Sequence, residues 1–150
     1  MGETMSSYHF YEAEKKDTNE IFELLKNFEN EVKELNYPKV DNDKLKTKIF
    51  YFLQHGKILM VKNLDKDKLI GLSVMHNTEY LWSTENILNV QVIYVLPEYR
   101  SLEVFNNIMK IIKTQANDKA IHLSISTKLV ASQLLERVGF EQMGNIWRMK

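Results

Sequence analysis

Residues 92–110, VIYVLPEYRSLEVFNNIMK, hold the groups best placed for chemistry. An apolar run ends at Leu96, a Pro-Glu-Tyr turn follows, and helical spacing resumes at Leu102. A strand, a turn and a helix therefore meet at Arg100 and Ser101. The first N–H groups of a helix have no intrahelical acceptor, and the helix dipole adds partial positive charge there. Such a junction suits an anion, phosphate above all. Arg100 supplies a cation and Ser101 a hydroxyl. Each also has a plain structural role, Arg100 as half of a surface ion pair and Ser101 as the helix N-cap. The turn has no glycine, the residue that would let phosphate come close to the backbone. Glu103 adds a carboxylate in the first helical turn, where two unit charges about 5 Å apart repel by roughly 3 kcal/mol at an effective dielectric near 20. Turned to solvent, the same carboxylate complements the helix dipole. Phe105 reads as a core residue.

The surrounding elements follow from periodicity. Residues 7–13 read as a first strand. Asp17 and Glu20 have capping-box spacing, and Ile21, Leu24, Leu25, Phe28, Val32 and Leu35 recur at helical intervals up to a boundary set by Pro38. A second helix runs from Asp41 or Asn42 to about Gln54 and stops at Gly56. Strands at 57–63 and 68–76 form a hairpin, a loop occupies 77–85, and a long strand covers 86–96. Helix 101–117 then crosses over to a strand at 120–126, which requires a parallel pair. A helix at 129–138 ends at Gly139, and residues 140–144 and 146–150 read as a closing strand pair.

Composition narrows the function. The 150 residues suit one domain, 44% are hydrophobic, and 20 basic side chains balance 20 acidic ones. The broad positive field that drives nonspecific nucleic-acid binding is absent, so no nucleic-acid partner is expected. No apolar run approaches the roughly 20 residues of a bilayer span, and a cytoplasmic location with no membrane partner is expected. Gly2 and Ser6 fit the loose myristoylation pattern, although Glu3 crowds it. With no cysteine, thiolate metal sites and disulfides are excluded. His9, His55, His76 and His122 are scattered, so no metal is expected.

In element order the chain resembles the GNAT acetyltransferase superfamily. The resemblance rests on YVLPEYR (94–100) leading into a helix, LLERVGF (134–140) and the hairpin at 58–74, and it covers nearly the whole chain. It implies an α/β (α+β) fold. The sheet would be mixed, mostly antiparallel and six- to seven-stranded, with helices on both faces. The parallel fourth and fifth strands would be splayed.

It also implies acetyl-CoA as acyl donor, and an amine of a small molecule or protein as acceptor, attacked directly. A homodimer is an allowed assembly. The pantetheine arm would lie along Ile93, Tyr94, Val95 and Leu96. The pyrophosphate would meet Arg100, Ser101, Leu102, Glu103, Val104 and Phe105, with Lys128 a further phosphate contact or a solvated lysine. In an open site, N–H groups from Val95 to Leu102 would be unpaired.

The family's glycine positions fall on Glu103 and Phe105, its frequent base on Asn89 and its frequent tyrosine acid on Leu135. A thioester is already activated, so proximity and polarisation of its carbonyl can contribute most of the acceleration. The amine must still lose a proton. His76, Glu79, Glu85 and His122 are candidates for taking it, and Gln91 could orient a substrate or water. Tyr37, Tyr51, Asn89 and Tyr94 would line the acceptor site, and Tyr80 with Trp82 would form a lid or a plug. The altered positions also suit a different class of function, a GNAT-like binding or structural module with weak or no catalysis.

Overall fold

The computed structural model describes residues 7–35, 37–124, 132–143 and 148–149. β1 (Tyr8–Glu12) is followed by α1 (Thr18–Glu31), which buries Ile21 and Leu24. The Asp17–Glu20 capping box does not form. The Asp17 carboxylate instead accepts the Glu14 N–H at 2.8 Å and closes a 3-10 turn ahead of the helix. α1 also stops earlier than the expected boundary, and a 3-10 turn over Lys33–Leu35 continues the chain. A turn of three residues keeps Val32 and Leu35 in line, so the apolar spacing persists without an α-helix.

α2 (Asn42–His55) starts at Asp41, whose carboxylate accepts the Lys44 N–H at 3.0 Å, and stops at Gly56. A Cβ on Gly56 would sit 2.5 Å from the Met75 carbonyl oxygen and 3.1 Å from the His76 Cβ. Only glycine lets this helix end lie so close to the strand beside it. The remaining elements are β2 (Lys57–Asn63), β3 (Lys68–Glu79), β4 (Asn86–Val95), α3 (Leu102–Ala116), β5 (Ala120–Leu123) and α4 (Ser132–Arg137). α3 ends at Asn117 in the left-handed conformation, φ 48°, which asparagine tolerates.

The sheet has the order β1-β2-β3-β4-β5, antiparallel as far as β4 and parallel between β4 and β5. α1 and α2 cover one face, where Phe28 meets the Tyr94 ring and Phe52 meets His76. α3 crosses the other face, with Glu103 close enough to act on the Tyr8 hydroxyl. Between the layers lie Ile58, Met60, Ile70, Leu72, Leu88, Ile108 and Ile112, all fully buried.

Three boundaries differ from expectation. β3 extends to Glu79, so His76 lies within a strand rather than at its end. The antiparallel partner Asn86–Asn89 supplies the hydrogen bonds that carry it on. β5 ends at Leu123, and residues 125 and 126 of the expected strand lie outside the described residues. Residues 140–143 form no strand, and 144–147 and 150 lie outside the described residues, as do 129–131 of the last helix. The described sheet therefore has five strands rather than six or seven.

Candidate active site

β4 is held differently at its two ends. From Asn86 to Val90 it pairs with β3 on one side and, from Ile87, with β5 on the other. Among the described residues, pairing with β5 ends at Val90 and Leu123, and from Gln91 onward β4 has a strand on the β3 side only. Gln91 is itself an extra residue, because Val74 faces Val92 while Met75 faces Val90. Such a bulge bends a strand and increases its twist.

The ladder fixes which backbone groups look into the gap. The Leu96 N–H bonds the Ile70 carbonyl at 2.8 Å. Antiparallel bonding alternates, so Tyr94 and Val92 also turn their N–H and C=O to β3. Ile93 and Val95 turn theirs to the gap.

The strand–helix junction lies at the top of that gap. A 3-10 turn over Pro97–Tyr99 uses the Tyr99 and Arg100 N–H groups, so the expected run of unpaired groups from Val95 to Leu102 is interrupted. The Ser101 hydroxyl caps α3 by accepting the Val104 N–H at 3.2 Å. The Leu102 and Glu103 N–H groups have no partner among the described residues. Both side chains are exposed, so Glu103 does not cover the helix end. Val104 is buried and Phe105 packs against the core.

Arg100 is engaged elsewhere. Its Nε donates to the Val95 carbonyl at 2.8 Å, and its Nη2 reaches both Glu31 carboxylate oxygens at 2.9 and 2.7 Å. The Tyr94 hydroxyl donates to the same carboxylate at 3.1 Å, and the guanidinium lies 5.7 Å from the Tyr94 ring centre. Burial, with Glu31 acting second, pushes the Tyr94 phenol up to about 12. Sequence reasoning missed Glu31. It lies 69 residues from Arg100, on a helix whose polar positions all look alike.

Below the gap a polar row crosses the sheet. His76 faces Asn89, and Asn89 faces His122, so the three share the α1–α2 face. The Asn89 amide donates to the Gln91 side-chain oxygen at 2.8 Å. The Tyr80 hydroxyl lies 2.9 Å from His122 Nε2, and Trp82 stacks on the Tyr80 ring at 5.4 Å. The row directly precedes the last described β4–β5 pair, so it adjoins the start of the gap. His76 Nδ1 is buried and has no partner among the described residues. Glu79, three residues from His76 on an uninterrupted ladder, falls on the opposite face. Glu85 is exposed in the loop before β4. Lys128 lies outside the described residues.

The other expected wall residues are spread out. Tyr37 is half exposed and lies under the Arg148 guanidinium, which also donates to the Leu35 carbonyl. The Glu29 carboxylate accepts the Val40 N–H at 2.7 Å, and that bond, with Lys26 second, holds it below the usual carboxylate range. Tyr51 is 47% exposed, and its ring contacts are with Lys48, Phe52 and His55 of its own helix. A cleft of about 780 Å³ runs along α1 past Tyr94 and Glu98 without reaching the row. Five carboxylates and one lysine line it, which repels a pyrophosphate. Among the described residues no acidic or histidine cluster could hold a metal. No helix among them is long and apolar enough to cross a membrane.

No protein-family model and no curated protein matches the chain. Solved structures match it in fold. A "predicted acetyltransferase with acetyl-CoA" from Clostridium acetobutylicum has a TM-score of 0.76 at 13% identity over 95% of this chain and 96% of that one. A GNAT family acetyltransferase from Staphylococcus aureus has a TM-score of 0.66 at 18% identity, covering 97% and 99%. AAC(6')-Iy, in complex with the bisubstrate analogue CoA-S-monomethyl-acetylneamine, has a TM-score of 0.71 at 15% identity, covering 95% and 97%. This chain has the GNAT acetyltransferase fold. In this chain the open end of β4 and the start of α3 adjoin, while Arg100 braces the corner between them.

Proposed function

We propose that the chain is an N-acyltransferase that takes its acetyl group from acetyl-CoA and passes it directly to an amine. The observation that carries this reading is the end of β4 that, among the described residues, has a strand on one side only. Ile93 and Val95 turn hydrogen-bonding groups into the gap, as an amide-bearing pantetheine arm requires. The Leu102 and Glu103 N–H groups and the α3 dipole suit a pyrophosphate. Glycine's part in the turn is met differently here: the exposed Glu103 side chain leaves the N–H groups uncovered. Arg100 acts as a brace, joining the end of β4 to α1 so that the junction keeps its shape. The solved relatives with acetyl-CoA and with a CoA bisubstrate analogue support the donor, and the latter supports a small-molecule amine as acceptor.

Calorimetric titration with acetyl-CoA tests this reading. Binding by the wild-type chain, weakened by Arg100→Ala, is expected. No binding at millimolar acetyl-CoA by a folded protein overturns it. One observation favours the second reading, a non-catalytic binding module: Arg100 is already paired with Glu31.

A further inference from the structure

Asn89 has no proton-accepting group, and Leu135 none to give, so proton transfer must use other side chains. This inference rests on the acyltransferase reading. We propose that His122 is the catalytic base of this site, that it receives the proton of the acceptor amine on Nδ1, and that Tyr80 is the positioning residue that fixes its tautomer.

Placement supports the assignment. His122 faces Asn89 in the last-but-one described β4–β5 pair, immediately below the end of the described pairing. Of the row it is the histidine on the strand that borders the gap, whereas His76 lies one strand further away and packs on Phe52. His122 is half-buried, and its Nε2 lies 2.9 Å from the Tyr80 hydroxyl. Its Nδ1 has no partner among the described residues. With the proton on Nε2 donated to the tyrosine oxygen, Nδ1 keeps its lone pair. After the transfer the same bond holds the imidazolium. Trp82 stacks on the Tyr80 ring and restricts it. The titratable groups facing His122 along the row are Tyr80 and His76, since Glu79 lies on the other face.

The step balances. An ammonium R–NH3+ gives one proton to His122 Nδ1 and becomes R–NH2. Its nitrogen forms a C–N bond to the thioester carbonyl carbon while the C–S bond breaks. The second nitrogen proton goes to the departing thiolate, giving the amide and CoA-SH. His122 then releases its proton to water.

Two measurements test this. In the first, ¹⁵N shifts of the His122 ring in the wild-type protein report the tautomer. Protonation on Nε2, lost as a preference in Tyr80→Phe, is expected. A ring protonated on Nδ1 overturns the proposal, because it leaves no lone pair for the amine. The second measures CoA release with primary amines ranging from strongly basic alkylamines to weakly basic anilines, alongside calorimetric acetyl-CoA binding. In His122→Gln, kcat for the alkylamines should fall about a hundredfold, the scale of general base catalysis. Anilines, which arrive already unprotonated, should be largely spared, and acetyl-CoA affinity should be unchanged. An equal loss for all amines, or no loss, overturns the base assignment while leaving the acyltransferase reading intact. A wild-type chain that binds no acetyl-CoA and acetylates no amine overturns that reading, and this one with it.

Discussion

The two ends of β4 differ in pairing more than in sequence. The lower end, Asn86 to Val90, is bonded on both sides, and Ile87, Leu88 and Val90 are buried. The upper end, Gln91 to Val95, has three β-branched residues to the lower end's two, yet among the described residues it lacks a strand on one side. Residue type alone does not separate them, because both mix β-branched strand formers with amide side chains. The difference comes from β5, whose described pairs with β4 end at Leu123. An open backbone edge is costly unless something hydrogen-bonds to it. The upper end is therefore where the proposed acetyl-CoA would lie, and the lower end is a place for stability.

Hydrogen exchange gives the largest contrast. Amides of Ile93 and Val95 should exchange orders of magnitude faster than those of Tyr94 and Leu96, since protection runs from near zero to the global stability. Saturating acetyl-CoA should slow Ile93 and Val95 selectively. Uniform protection along 91–96 in the free protein would break the comparison.

Core truncation comes next. Leu88→Ala should cost about 2–5 kcal/mol in urea denaturation, the range for a fully buried leucine. Ile93→Ala, half-buried, should cost well under half of that and should weaken acetyl-CoA binding. Equal costs would place the upper end in the core after all.

High pH separates Tyr94 from the rest. Below its ordinary value of 10 the phenol is protonated in both states and its contribution is complete. Above 10 the unfolded chain ionises first, so stability falls as pH rises towards about 12. The total is about 2–3 kcal/mol from a displacement of this size. Tyr94→Phe should lack that slope when denaturation is compared at pH 9 and pH 11.

Smaller effects belong to the corner. Ser101→Ala should lower stability by about 1 kcal/mol through the lost cap. Breaking the Arg100–Glu31 pair with Glu31→Gln should cost below about 1 kcal/mol, as is usual for partly exposed pairs. A loss of several kcal/mol there would make the brace part of the core.

Most of the frame was legible in the sequence. Apolar spacing placed the helices, Ser101 and Asp41 marked their starts, and Gly56 marked a stop. The candidate site was legible in pieces. Asn89, Gln91, His76 and His122 could each be named, but their alignment depends on two strand registers and a bulge, which no local pattern encodes. The Tyr80–His122 contact spans 42 residues and the Arg100–Glu31 pair 69, so both follow from packing rather than from spacing. Glu79 shows the converse: a plausible neighbour in sequence is turned to the wrong face by the two-residue pleat.

The Arg100 Nε that occupies the Val95 carbonyl has a consequence for selectivity. Among the described residues the gap presents two N–H donors, from Ile93 and Val95, but only the Ile93 carbonyl is fully open as an acceptor. Its hydrogen-bond parity is therefore uneven. A guest richer in carbonyl oxygens than in N–H groups along this stretch is matched, and one that brings two N–H groups must share the Val95 oxygen with an arginine.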